Sequence, residues 1–285
     1  MSSPDGQPER YVAVASDGLR DDLDVAVAAA AAGAEVAIGY FHTRPVIGSK
    51  GDRDLVSEAD CAVEELIVAR LRAAFPDDVV IGEESGSHGA PPSGRRRWYV
   101  DPIDGTTNFL KGLPLWGVSV GLCDADDRAV VGAVVLPALH ETYTATRGGG
   151  ARRDGVPIRA SQEQGLDRLV VAHSQTRHAA PDWGGVKRLR DGCLALAERT
   201  LGTRMSGCAC FDLTAVACGR IDVMWGGGLS KWDVAAGLVI AAEAGAEITD
   251  VAGRPVQGPC SAFVASPAGV HEQVRALIAA RPLPP

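Results

Sequence analysis

The sequence predicts a mixed fold, α+β in its first part and α/β in its second, with the two parts joined near residue 160. Strand-like runs at residues 117–123, 129–136 and 141–146 are separated by glycine and aspartate turn signals, which indicates an antiparallel meander. After residue 169, strand-like and helix-like segments alternate, as in βα units. We therefore predict a loose tail over residues 1–20, an N-terminal α+β subdomain over 21–159 and a C-terminal α/β subdomain over 160–285.

The first half begins with two helical patterns, because alanine-rich periodicity favours helices and Pro76 cannot continue the second one. A loop is predicted where Gly, Pro and Ser cluster before the next strand. The expected elements before the meander are helix 21–39, helix 61–75, strand 79–81, loop 87–97 and strand 98–100.

The second half is expected to begin with a strand of aliphatic residues and to end with a helix. Its expected elements are strand 169–172, helix 186–197, helix 211–218, strand 221–225, helix 234–244, strand 262–265 and helix 269–280.

Composition limits the function. The chain has 285 residues, 46% of them hydrophobic, which suffices for a large core. The net charge is -8 and the pI is near 5.3, so the sequence offers no basic surface of the kind that binds nucleic acid. Gly33 and Glu35 interrupt the apolar run at residues 25–38, and the first residues lack the cationic-then-apolar pattern of a signal peptide. We therefore expect no membrane segment and a cytoplasmic location. The seven cysteines suit reduced thiols.

Acidic residues stand where predicted strands end or helices begin. They are Glu83 with Glu84, Asp101 with Asp104, and Asp233. Carboxylates that converge repel one another, and loss of water strengthens this repulsion, so their convergence would require a cation. Oxygen ligands of this kind select Mg²⁺, which is usually held by carboxylates, water and substrate phosphate.

The segment DPIDGTTN, residues 101–108, offers more than charge. Pro102 fixes the backbone after the first aspartate, and Ile103 is placed to turn its carbonyl inward. Gly105 lets the main chain approach a ligand closely, and Thr106 begins a helix whose N–H groups favour a phosphate. The segment therefore predicts metal ligands and an anion seat side by side.

Four segments in this order resemble the inositol monophosphatase family, the Mg²⁺-dependent and Li⁺-sensitive small-molecule phosphatases. They are DLVSEAD at residues 54–60, IGEES at 81–85, DPIDGTTNF at 101–109, and KWDVAAG at 231–237 followed by EAG at 243–245. The resemblance implies a layered αβαβα sandwich of the inositol monophosphatase and fructose-1,6-bisphosphatase type. It also implies a homodimer.

The resemblance also assigns roles to matching positions. It implies that the metal ligands are Glu83, Asp101, the carbonyl of Ile103, Asp104 and Asp233. It implies that the catalytic residues around the attacking water are Glu83, Thr106 and Asp60. It implies that substrate is bound by Asp104, Gly105, Thr106, Gly207, Cys208 and Ala209, with phosphate on the amides of Gly105 and Thr106.

The implied activity is that of a phosphoric monoester hydrolase. Two or three Mg²⁺ ions would assist direct attack of a metal-activated water on a small phosphorylated metabolite, a sugar, cyclitol or amino-alcohol phosphate, and Li⁺ would inhibit. Alternatives are an enzyme specific for inositol 1-phosphate or histidinol phosphate, and a non-catalytic relative that binds phosphorylated metabolites.

Two features bear on these alternatives. Inositol-specific members carry an acid seven residues before the last metal ligand, where this chain has Gly226, so we expect weak preference for inositol 1-phosphate and more room for other esters. Cys208 and Cys210 lack a second ligand pair at zinc spacing, and we interpret them as buried thiols.

Overall fold

The computed structural model describes residues 17–43, 47–51, 54–89, 95–174, 185–256 and 262–279. The helices are α1 (Asp17–Tyr40), α2 (Glu58–Ala74), α3 (Thr106–Leu110), α4 (Gly185–Ala197), α5 (Ala209–Ala217), α6 (Lys231–Glu243) and α7 (His271–Ala279). The strands are β1 (Ile47–Gly51), β2 (Asp54–Ser57), β3 (Val79–Gly82), β4 (Gly86–His88), β5 (Arg97–Asp104), β6 (Gly117–Cys123), β7 (Ala129–Leu136), β8 (Glu141–Thr146), β9 (Gly150–Arg153), β10 (Val156–Pro157), β11 (Val170–His173), β12 (Gly202–Arg204), β13 (Val223–Gly227), β14 (Glu247–Asp250) and β15 (Ala262–Ser266).

These elements form five layers. Helices α1 and α2 cover one face of an eight-stranded sheet, and α5 and α6 fill the space between that sheet and a five-stranded sheet. Helices α4 and α7 pack together on the outer face of the second sheet. Sheets covered on both faces require strands that are apolar on both faces, as the fully buried β6 and β13 are. The expected αβαβα sandwich is confirmed.

The larger sheet has the order β10-β9-β8-β7-β6-β5-β3-β4. Its strands β6, β7 and β8 form the predicted antiparallel meander, which continues to β5 on one side and β9 on the other, and β3 pairs parallel with β5. In the smaller sheet β11 pairs parallel with both β12 and β13, and β15 lies antiparallel between β13 and β14. Strands β3 and β5 thus end side by side, at the edge that carries the acidic motifs.

Helix α6 lies directly against the larger sheet. A Cβ at Gly121 would lie 2.7 Å from the Ala236 nitrogen, and one at Gly132 would lie 2.5 Å from the Ala236 oxygen. Only glycine permits such close approach of helix and strand backbones. The contact brings the first turn of α6, which carries Asp233, to the ends of β3 and β5.

Several predicted boundaries differ from the structure. Helix α1 begins at Asp17, within the segment predicted as a tail; residues 1–16 lie outside the described residues. Strand β4 occupies the start of the predicted 87–97 loop. The short strands β1, β2, β9, β10, β12 and β14 were not predicted, because two to five residues give too little periodicity to be recognised.

Helix α1 is long and apolar enough, by length and composition, to cross a membrane over Gly18–Tyr40. In the structure its small side chains pack on α2 and on strands of the larger sheet. The buried ones are Ala26, Ala29, Ala30, Ala34 and Ala37. With 33% of the apolar window buried, one face of the helix packs against the core.

Candidate active site

Three acidic side chains converge where β3, β5 and α6 meet. They are Glu83, which directly follows β3, Asp101 within β5, and Asp233 in the first turn of α6. One carboxylate oxygen from each lies within 4.8 Å of the others. Asp101 is 1% exposed and the other two are half-buried. Three of the predicted metal ligands are therefore close enough to share one cation.

The electrostatics of this cluster call for positive charge. Burial, reinforced by the negative charges of Glu83, Asp104 and Asp233, raises the pKa of Asp101 well above its ordinary range. Burial also raises the pKa of Asp233, with Asp104 and Glu83 as the next causes. A divalent cation would compensate negative charges that oppose ionisation so strongly. The residues present thus fit a hard divalent metal ion.

Asp104, the fourth predicted carboxylate ligand, lies beside this cluster and has protein donors of its own. Its Oδ2 accepts a hydrogen bond from the Cys210 N–H, and the Ala209 backbone also bonds it. In β5, the register against β6 shifts between Asp101 and Asp104. Residues three apart on a regular strand face opposite sides, so this irregularity helps both carboxylates serve one site.

Two of the predicted catalytic residues, Thr106 and Asp60, are in contact. The Thr106 hydroxyl lies 3.4 Å from Asp60 Oδ1 and donates to the carbonyl of Ile103 at 3.1 Å. The pKa of Asp60 is raised, first by burial and in part by the charge of Glu83. The structure therefore brings the Ile103 carbonyl, Thr106 and Asp60 together, with Glu83 within electrostatic reach.

Asp60 and Asp233 are positioned by the same local device. Each is the third residue of its helix and accepts a hydrogen bond from the backbone N–H of the capping serine, Ser57 at 2.8 Å and Ser230 at 2.6 Å. These capping boxes start α2 and α6 three residues before their predicted starts. A helix start thus fixes each functional carboxylate.

The predicted substrate-side segment lies against the DPIDGTT loop. A Cβ on Gly105, whose φ is 89°, would lie 3.2 Å from the Cys208 Cβ and 3.4 Å from the Gly207 oxygen. The Asn108 amide donates to the Ser206 carbonyl at 2.8 Å and so ties the two segments together. Gly207 and Cys208 therefore adjoin Gly105, and Ala209 bonds Asp104.

Glu64 is a site residue that the motifs did not reveal. Its buried carboxylate accepts hydrogen bonds from the N–H groups of Glu84 at 2.8 Å and Ser85 at 2.7 Å, and from the Ser85 hydroxyl. A Cβ on Gly82 would lie 2.3 Å from the Glu64 carboxyl carbon. Glu64 thus holds the turn that presents Glu83. Its sequence signal is the spacing of four from Asp60, which places both acids on one helix face.

Asp212 supplies a pH-dependent prediction. It is 1% exposed in α5, and burial raises its pKa to about 7. Because the folded pKa exceeds the unfolded one, stability falls as pH rises from about 4 to about 7 and stays reduced above that. At each pH we compare the unfolding free energy of Asp212→Asn with that of wild type. We expect this difference to favour the variant by roughly 2 kcal/mol more at pH 8 than at pH 5. Urea unfolding at both pH values measures this; equal effects at both would contradict it.

The same family emerges from comparison with known proteins. The model of the inositol monophosphatase family matches residues 19–281. The inositol monophosphatase of Mesembryanthemum crystallinum is 37% identical over 240 residues, covering 83% of this chain and 87% of that protein. The Nus factor SuhB of Pseudomonas aeruginosa is 35% identical over 235 residues, covering 81% and 86%.

A solved structure agrees with these matches. The inositol monophosphatase of Anabaena (Nostoc) superposes with a TM-score of 0.80 at 30% sequence identity, covering 93% of this chain and 98% of that one. Its fold is therefore the layered fold described above. With the fold, the order of its four motifs and a match over residues 19–281 in agreement, the chain belongs to the inositol monophosphatase family and is a phosphoric monoester hydrolase.

Proposed function

We propose that this chain is a Mg²⁺-dependent phosphomonoesterase that hydrolyses a small phosphorylated metabolite by direct attack of a metal-activated water. The observation that carries the proposal is the convergence of Glu83, Asp101 and Asp233 within 4.8 Å, in a setting that opposes the ionisation of the two aspartates. When bound there, Mg²⁺ supplies Lewis acidity and lowers the pKa of water. Glu83, Asp101 and Asp233 would hold it, with Asp104 and the Ile103 carbonyl beside them.

The residues around the cluster would position the attacking water and the substrate. Thr106, whose hydroxyl lies near Asp60 and the Ile103 carbonyl, is placed to orient the attacking water and pass its proton toward a carboxylate. The amides of Gly105 and Thr106 would receive the phosphate oxygens. Asn108 keeps the substrate-side segment of Gly207 against this loop, so that the ester is held in one orientation.

For the substrate we propose a sugar, cyclitol or amino-alcohol monoester. Gly226 provides no carboxylate for ring hydroxyls, which disfavours tight selection of inositol. The extra space expected at this glycine is limited, however, because a Cβ there would lie 3.0 Å from the Ser174 Cβ and 3.5 Å from Leu229 Cδ1. Ser174 therefore occupies part of the volume beside Gly226, and its hydroxyl is a candidate contact for the substrate.

A phosphate-release screen with and without Mg²⁺ tests the proposal. The panel contains inositol 1-phosphate, histidinol phosphate, fructose 1,6-bisphosphate, other sugar phosphates and p-nitrophenyl phosphate. We expect Mg²⁺-dependent release from several esters with only weak preference for inositol 1-phosphate. Strong selectivity for inositol 1-phosphate would contradict the substrate proposal and leave the reaction class intact.

The second candidate is a non-catalytic role in binding phosphorylated metabolites. It is favoured by one observation, that a relative at 35% identity is named a Nus factor. Against it, all five predicted metal-ligand positions retain oxygen donors, four of them carboxylates. Binding of panel compounds without phosphate release at any Mg²⁺ concentration, by a protein with an intact thermal transition, would establish this role in place of hydrolysis.

A further inference from the structure

Two thiols and a carboxylate lie together, buried, at the start of α5. The sulfur atoms of Cys208 and Cys210 are 3.6 Å apart. One carboxylate oxygen of Asp104 lies within 4.8 Å of both sulfurs. The exposed fractions are 2% for Cys208, 0% for Cys210 and 8% for Asp104, so all three groups are largely removed from water.

The separation of these groups suits a tetrahedral thiolate site. Two sulfur atoms bound at about 2.3 Å to a tetrahedral Zn²⁺ lie about 3.8 Å apart, close to the observed distance. A disulfide would instead require about 2.0 Å. Asp104 provides a third ligand. In the sequence, the two cysteines lack the second pair of ligands that zinc motifs contain. The structure adds Asp104, which lies 104 positions before Cys208.

The chemistry of these three groups differs from that of the neighbouring acid cluster. Glu83, Asp101 and Asp233 present only oxygen donors, which suit Mg²⁺. Sulfur donors select softer cations such as Zn²⁺ and Cd²⁺. Asp104 stands between the two sets, because its charge acts on Asp101 and Asp233 while its Oδ2 is bonded by Cys210.

We propose that Cys208, Cys210 and Asp104 form a binding site for a thiophilic divalent cation, and that its occupation inhibits hydrolysis. Binding replaces the two S–H protons, which pass to solvent, by two sulfur–metal bonds, and no electrons are transferred. The cation draws Asp104 away from the Mg²⁺ centre and places charge beside Gly105. The binding site stands on its own, whereas the inhibition rests on the proposed function.

Cadmium binding tests the site without reference to activity. The full-length protein, stripped of metal and kept reduced with a phosphine, is titrated with Cd²⁺ while the ultraviolet sulfur-to-cadmium charge-transfer band is recorded. Wild type and the control Cys61→Ser, which removes an exposed thiol on α2, should both show a band that saturates at one equivalent. Cys210→Ser and Cys208→Ser should lose the band or require at least about tenfold more Cd²⁺.

Inhibition is then measured for each protein relative to its own rate with Mg²⁺ alone. We expect Cd²⁺ to inhibit wild type and Cys61→Ser at concentrations at least about tenfold lower than it inhibits Cys210→Ser, with recovery on chelation. Thermal melts confirm that each variant is folded. A wild type without the band, or a folded Cys210→Ser with an unchanged band, would overturn the site. Absence of hydrolysis with a normal band would overturn the proposed function alone.

Discussion

Replacing Asp233 by asparagine should reduce Mg²⁺-dependent phosphate release by at least about 100-fold, because loss of a ligand should exceed the 10–100-fold typical of its outer-shell partners. Asparagine preserves the size of the side chain and can still accept the Ser230 N–H bond. In chelator, the melting temperature should be unchanged or higher, since one of three converging negative charges is removed.

The matched control is Asp126→Asn, which removes an acid whose side chain is 73% exposed. It should leave both activity and the melting temperature near wild-type values. Mg²⁺ should raise the melting temperature of wild type and of the control, because a ligand that binds only the folded state stabilises it. Wild-type turnover in Asp233→Asn, or an unchanged Mg²⁺-induced shift, would refute the metal assignment.

Replacing Glu64 by glutamine should lower activity by about 10–100-fold and raise the Mg²⁺ concentration needed for half-maximal rate. The carboxylate accepts two backbone N–H bonds and one hydroxyl bond from the turn after Glu83, and an amide offers only one oxygen in place of two. The freed donors should also cost about 1–3 kcal/mol of unfolding free energy.

Glu65→Gln is the control for this variant, since Glu65 is the next residue of α2 and is exposed. It should change neither quantity. If Glu64 had a purely structural role, its replacement would lower stability. The Mg²⁺ concentration at which the folded protein reaches half-maximal rate would then stay unaltered. A Glu64→Gln protein with the wild-type Mg²⁺ requirement would therefore show that Glu64 does not position Glu83.

The sequence alone located the elements whose residues have strong local preferences. The bounds predicted for β6, β7 and β8 coincide with the observed ones, because each is a run of strand-favouring residues between turn residues. The starts of α2 and α6 were placed three residues late, because the first turn of each is polar. At each start a serine and an aspartate form a capping box, Ser57 with Asp60 in α2 and Ser230 with Asp233 in α6.

The features that sequence could not supply depend on long-range contacts. Glu64 meets the turn at Ser85 across 21 residues, and Asp104 meets Cys210 across 106. No periodicity or motif spacing carries such information, which arises only when α2 and α5 pack against the larger sheet. The volume beside Gly226 is a similar case, because Ser174, from the end of another strand, fills part of it.

We propose that the carboxylates of Glu83, Asp101 and Asp233 serve hydrolysis by holding Mg²⁺. The most direct test is release of p-nitrophenol from p-nitrophenyl phosphate by metal-stripped protein as Mg²⁺ is added back. We predict no release in chelator and a rate that rises with Mg²⁺ to saturation. A folded protein that hydrolyses the ester equally well in chelator, or that fails to hydrolyse it at every Mg²⁺ concentration, would contradict it.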